Sequence, residues 1–198
     1  MIEFINLKKE NPYLKIFEKY QNALKAGQKN IEAISVSTFD STKNEVDSRY
    51  VNLKFIDKEE FIFFSNYNSP KSIAFKSHNQ IAVCIYWSEI NFQIRMKAKI
   101  KKTTPKYNQE YFQNRSKEKN ALAISSDQSK VISSYDLVNQ KYQHTKENND
   151  LSKCPDYWGG YSFRPYEIEF WEGNESRINK RDLYKLEHNE WQHFVLEP

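Results

Sequence analysis

Residues 158–181 read WGGYSFRPYEIEFWEGNESRINKR: by their pattern, a strand, a turn and a second strand. Tyr166, Ile168 and Phe170 alternate with Glu167, Glu169 and Trp171, the period of two that marks a strand whose faces are used differently. Glu172-Gly173-Asn174 supplies the turn. Beyond it, an extended segment would place Arg177, Asn179 and Arg181 on one side and Ile178 and Lys180 on the other. Two guanidiniums and an amide on one strand face suit a planar, anionic ligand. The same residues also suit an exposed edge strand, where charge guards against edge-to-edge aggregation. Trp158-Gly159-Gly160 reads as a close approach of the chain to the sheet, where a Cβ would interfere.

The whole chain has 198 residues, enough for one domain with a substantial core. Thirty Lys and Arg against 26 Asp and Glu give a net charge of +4, spread along the sequence. That balance suits anionic small molecules; with no predicted element concentrating the cations, it gives no nucleic-acid face. Thirteen Tyr, 13 Phe and 4 Trp against 4 Gly favour β structure, and neither GxGxxG nor GxxxxGK[ST] occurs, so phosphate must be held by side chains or helix ends. Cys84 and Cys154 are too few for a disulfide framework or a zinc site, and the four histidines show no metal-ligand spacing. No metal is expected. MIEFINLKKE lacks a signal-peptide core and no apolar run approaches the roughly 20 residues of a membrane span, so the expectation is a cytoplasmic protein without membrane contact.

In chain order, Asn11-Pro12 followed by Leu14, Phe17, Tyr20, Ala23 and Leu24 predicts a helix ending at Gly27. Residues 31–39 and 48–56 form a hairpin around a polar turn at 40–47, and residues 60–66 form a third strand. Ser69-Pro70-Lys71-Ser72 opens a short helix through His78. Residues 81–87 and 92–104 add two strands, the second with Gln93, Arg95 and Lys97 on one face. From Pro105 the pattern is helical, and one continuous helix would stack Tyr111, Arg115 and Lys119 on a single face, as a phosphate site or as a solvated surface. A shorter second helix over 119–125 is the other reading, followed by a polar amphipathic helix over 133–149. The sum is a mainly β fold with attached helices, a small antiparallel barrel.

Taken together, FSNYNSPKS (residues 64–72), Tyr86-Trp87 with Gln93 and Arg95, EYF-x-x-R (110–115), Gln128-Ser129 and WGG…EFW-x-G…R-x-x-x-R (158–181) resemble, in order and spacing, the pyridoxamine 5'-phosphate oxidase family, over roughly residues 31–198. The resemblance implies a Greek-key, FMN-binding split β-barrel at residues 31–198, with a helical insertion at about 105–150 and residues 1–30 as a helical extension. It also implies a homodimer with FMN at the subunit interface, oxidising pyridoxamine or pyridoxine 5'-phosphate to pyridoxal 5'-phosphate while dioxygen becomes hydrogen peroxide. FMN contacts carry over onto Arg49, Lys54, Ser65, Lys71, Gln93, Gln128, Ser129, Trp171 and Arg181. Substrate contacts carry over onto Lys54, Tyr111, Arg115 and Arg177, and Lys119 stands where the family has a phosphate-binding Ser. Asn179, beside Arg177 in the catalytic pair, stands where the family has His.

Pro70 replaces an Arg and Asn52 an aliphatic residue. Arg49 and Lys54, five apart, fall on opposite faces of a regular strand, so they serve one site only if the strand bends between them. Two other readings accompany the leading one: a flavin oxidase of the same architecture with another substrate, as in the family's phenazine-biosynthesis relatives, and a non-catalytic FMN or pyridoxal phosphate binder.

Overall fold

The computed structural model describes residues 1–198. A three-residue strand β1 (Glu3–Ile5) precedes helix α1 (Asn11–Lys25), then β2 (Ala33–Asp40), β3 (Glu45–Asp57) and β4 (Glu60–Asn66). Helix α2 (Pro70–Ser77) leads into β5 (Gln80–Trp87) and β6 (Phe92–Lys102). Three helices follow, α3 (Pro105–Gln113), α4 (Lys117–Ser125) and α5 (Tyr135–Asn148), before β7 (Trp158–Glu172), β8 (Lys180–Glu187) and β9 (Glu190–Leu196).

Strands β3, β2, β5, β6 and β7 pair side by side, and β4 closes the ring by pairing with both β3 and β7. All six contacts around this barrel are antiparallel, and closure leaves the ring without a free edge. Along β6, Phe92, Ile94, Met96, Ala98 and Ile100 are buried while Arg95, Lys97 and Lys99 are exposed, the alternation of a strand with one face on a core. Core side chains from all six strands join those of α1 (Tyr13, Ile16, Tyr20 and Ala23) in one cluster of 28 buried residues. The N-terminal helix is thus packed into the core, closed at its end by Gly27 at φ +80.

The split of the barrel has a local cause. The first half of β7 pairs with β4 as far as Phe163, and the second half pairs with β8 from Glu167 onward. Between them Pro165 offers no N–H to a ladder, and Tyr166 is an extra residue where the β6 register shifts between Lys97 and Ala98, a bulge that bends the strand away from its first partner. A second register shift falls at Lys54, on the strand that carries Arg49. On β3, Leu53 faces Phe63 while Phe55 faces Ile62, so Lys54 is the extra residue of a bulge.

One of the two helical readings holds, and one expectation is corrected. The helical segment from Pro105 is not continuous: α3 stops at Gln113, and Ser116 caps a new helix by accepting the Lys119 N–H (3.5 Å), so Arg115 lies in the junction. Beyond Gly173 the chain is not extended until Lys180. Asn174 Oδ1 accepts the Ser176 N–H at 2.9 Å and Asn179 Oδ1 accepts the Asn174 N–H at 3.1 Å, and such local side-chain bonds divert backbone from a strand. Arg177 consequently sits at φ +63 in a loop, and of the three polar residues only Arg181 is on a strand. Strand β1 gave no sequence signal, since three residues carry no period; it exists by parallel pairing with β3, Glu3 opposite Phe55.

Gly159 and Gly160 sit where the sequence requires small residues. A Cβ on Gly159 would lie 2.3 Å from both Asn108 Nδ2 and Tyr67 Oη, and one on Gly160 would lie 2.5 Å from Thr103 Oγ1. These side chains are held in a buried network, Tyr67 donating to Gly160 O and Asn108 donating to Tyr67 Oη, each at 3.0 Å. Gly159→Ala is therefore expected to lower stability by about 1–3 kcal/mol through overpacking, read as an earlier midpoint in urea denaturation; an unchanged midpoint would contradict the close packing.

Candidate functional site

The bulge of β3, the end of β4, the start of α2, the α3–α4 junction and the segment after α4 enclose a cleft of about 710 Å3. Of the sequence-expected site residues it is lined by Arg49, Lys54, Ser65, Lys71, Tyr111, Arg115, Lys119, Gln128 and Ser129. Its lining carries five cations but one carboxylate, Asp47, which is paired with Arg49.

Each cation is held differently. Lys71, 8% exposed, follows Pro70 in the first turn of α2 and donates to Ser65 Oγ (3.1 Å), Ser69 Oγ (3.1 Å) and Gln128 Oε1 (3.2 Å). All three acceptors are neutral. Burial, and secondarily the nearby Arg49 guanidinium, pull the Lys71 pKa down to about 8. Arg49 is fixed to Val36 O at 3.0 Å, to Thr38 Oγ1 at 2.9 Å and to the Asp47 carboxylate. Arg115 donates to Asn120 Oδ1 at 3.2 Å and has no carboxylate partner. Lys54 and Lys119 make no ion pair or side-chain hydrogen bond, so their charge is presented to the cleft alone.

One wall is aromatic. Tyr111 stacks on Phe64 at 3.7 Å, Phe64 stacks on Trp158 at 5.2 Å, and the Arg115 guanidinium lies 4.4 Å over Trp158. Burial pushes the Tyr111 pKa up, so its phenol remains a hydrogen-bond donor across the physiological range. Phe64 and Trp158 were not anticipated as cleft residues: an aromatic in a strand reads as core, and nothing in its spacing distinguishes a ring that lines a cavity.

The remaining expected residues form a second group that does not line this cleft. Gln93 on β6 is opposite Trp171 on β7, which is opposite Arg181 on β8. Arg181 is clamped by Glu169 Oε1, from Nε at 2.9 Å and from Nη2 at 2.8 Å, and donates from Nη1 to Glu197 O at 2.9 Å. Arg177 is exposed in the β7–β8 loop, and Asn179 closes that loop through its bond to Asn174.

The buried Lys71 makes a prediction for the ligand-free chain. Below pH 8 the ammonium is charged in folded and unfolded states alike, and its full burial penalty is present. Between pH 8 and the unfolded value of about 10.4 the folded state loses its proton first, so this group makes stability rise with pH through that window. Lys71→Met should raise the urea midpoint at pH 7 and remove that rise. Equal pH slopes for the two proteins would contradict a buried, uncompensated ammonium.

The sequence profile described as "Pyridoxamine 5'-phosphate oxidase" matches residues 20–149, and "Pyridoxine 5'-phosphate oxidase C-terminal dimerisation region" matches residues 158–198. The chain is 32% identical over 179 residues to a pyridoxine/pyridoxamine 5'-phosphate oxidase of Nostoc sp., covering 89% of this chain and 83% of that protein. It is 33% identical over 183 residues to the enzyme so named in Aliarcobacter butzleri, covering 91% and 85%. Among solved structures, PhzG from Burkholderia lata in complex with tetrahydrophenazine-1-carboxylic acid superposes with TM-score 0.89 at 22% identity, over 95% of this chain and 93% of that one. An FMN-binding, pyridoxamine 5'-phosphate oxidase-related protein from Nostoc punctiforme superposes with TM-score 0.77 at 13% identity, over 96% and 99%. These two share the split-barrel fold. By profile matches over most of its length and by relatives above 30% identity across most of both sequences, this chain belongs to the pyridoxamine 5'-phosphate oxidase family.

Proposed function

We propose that this protein is an FMN-dependent oxidase converting pyridoxamine or pyridoxine 5'-phosphate to pyridoxal 5'-phosphate, with dioxygen reduced to hydrogen peroxide. The observation that carries this reading is the cleft's uncompensated positive charge. With Arg49 neutralised by Asp47, four cations remain: Lys71 beside Ser65 and Gln128, and Lys54, Arg115 and Lys119 near Tyr111. Two phosphate groups, one from a cofactor and one from a substrate, are the complement such a charge calls for.

The residues present fit FMN. A buried ammonium with only neutral oxygen partners is prepared for an anion, since a phosphate would supply the compensation its surroundings lack. Lys71, Ser65, Arg49, Gln128 and Ser129 would hold the cofactor's phosphate side. Lys54, which lines the same cleft, would add its charge toward either phosphate. Gln93, Trp171 and Arg181 would contact the flavin from a second copy of the chain, which accounts for their position outside the cleft in a single subunit. The match of residues 158–198 to a dimerisation region supports that arrangement.

When bound, FMN supplies the two-electron acceptor that dioxygen reoxidises. The chain's contribution is placement. Tyr111 from the last turn of α3 and Arg115 from the α3–α4 junction would fix the substrate phosphate, and Lys119 adds a point charge from the first turn of α4. Arg177, exposed with no ion-pair partner, is free to close on the substrate ring, while Asn179 holds the shape of the loop that carries it. An amide does not titrate near neutral pH, so position 179 contributes hydrogen bonding and no proton transfer.

The test is to purify the protein, record flavin absorbance and measure hydrogen peroxide with pyridoxamine 5'-phosphate. A yellow protein that turns this substrate over is expected; bound flavin without turnover would overturn the substrate assignment. Arg115→Ala should raise KM by about 10- to 100-fold, the loss of a charged hydrogen bond of about 1.5–3 kcal/mol. Lys119→Ser should raise it only about threefold, because solvent screens an exposed ammonium.

A further inference from the structure

We infer that Trp158 is a positioning residue that holds Arg115 rigid while leaving its charge uncompensated. The inference deepens the proposed function, since it concerns how the substrate-phosphate end of the cleft is built.

Of the chain's six arginines, Arg49, Arg95, Arg164 and Arg181 each sit against a carboxylate. Arg177 is exposed. Arg115 alone is withdrawn from solvent without a carboxylate partner; burial depresses its pKa. A guanidinium in that position needs something to keep it in one orientation. Its single hydrogen bond goes to Asn120 Oδ1 at 3.2 Å, and its broad face rests on Trp158 with Cζ 4.4 Å from the ring centre. Asn120 is itself fixed by donating to Phe112 O (2.8 Å) and Leu151 O (2.9 Å).

An amide and a π face orient a guanidinium without cancelling its charge, whereas a carboxylate would orient it and cancel it. Trp158 is fixed in turn by Phe112, edge-on at 5.1 Å, and by Phe64, stacked at 5.2 Å. Its ring is within 2° of parallel to that of Tyr111. One indole therefore sets the guanidinium and is aligned with the phenol that face the same anion.

The experiment compares the flavin-loaded wild type with Trp158→Met, Trp158→Phe and Arg115→Lys. Circular dichroism and flavin content check folding. KM and kcat are measured for pyridoxamine 5'-phosphate, KM for unphosphorylated pyridoxamine, and Kd for inorganic phosphate by calorimetry. Trp158→Met removes the π face and is expected to raise KM for the phosphorylated substrate and Kd for phosphate about tenfold, with kcat within about threefold and pyridoxamine unaffected. Trp158→Phe, which keeps a ring face, should stay within about threefold of wild type. Arg115→Lys keeps the charge but cannot stack flat, and should lose about tenfold even if Trp158→Met does not fold.

A folded Trp158→Met with unchanged KM and phosphate affinity would overturn the inference. So would an equal loss for phosphorylated and unphosphorylated substrates, or full phosphate affinity in Arg115→Lys. If the wild type binds phosphate yet does not oxidise pyridoxamine 5'-phosphate, the substrate assignment fails while the phosphate arm still decides the role of Trp158.

Discussion

Positive charge held out of water without a counter-ion is the constraint around which the cleft is built. Such charge is unfavourable in the ligand-free chain, and the structure tolerates it by giving Lys71 and Arg115 neutral supports. Lys71 has two hydroxyls and an amide oxygen, and Arg115 has an amide oxygen and an indole face. Only Arg49 has a carboxylate in the cleft. The stability lost at these positions is offset by the 28-residue core behind them, and the field that remains is what an anionic ligand would meet.

The barrel places these groups through two irregularities, each a single extra residue. The bulge at Lys54 interrupts β3 along the stretch where Arg49 and Lys54 both line the cleft. The bulge at Tyr166, next to Pro165, turns β7 from its barrel partner toward β8, and so carries Trp171 and Arg181 away from the cleft of their own subunit. Both irregularities interrupt backbone pairing.

Much of this was legible in the sequence. The alternation in β6 followed from period-two patterning, the third strand at residues 60–66 from its short run of strand-forming residues, and the tight packing at Gly159 and Gly160 from the absence of side chains. The need for a bend between Arg49 and Lys54 was also visible, because parity along a strand is strict; where the bend fell was not, since it depends on pairing with β4. The break between α3 and α4 was one of two readings, as Ser116 can cap one helix or sit inside another. The loop at 174–179 escaped because Asn174, Ser176 and Asn179 fold it through side chain–backbone bonds that carry no period. Phe64 and Trp158 escaped because a ring lining a cleft and a ring in a core have the same sequence signature.

The departures from the family pattern acquire physical content in this setting. Under the proposed function Pro70 stands where the family pattern has a cation, and the buried Lys71 ammonium with its three neutral partners would be the principal phosphate anchor there. The most direct measurement is calorimetric titration of the flavin-free protein with FMN and with riboflavin, which differ only by the phosphate. Preference for FMN by about 30-fold or more, the worth of about two kcal/mol or more in charged hydrogen bonds, is the result predicted. Equal affinity for the two would contradict the assignment of the cleft's charge to a cofactor phosphate.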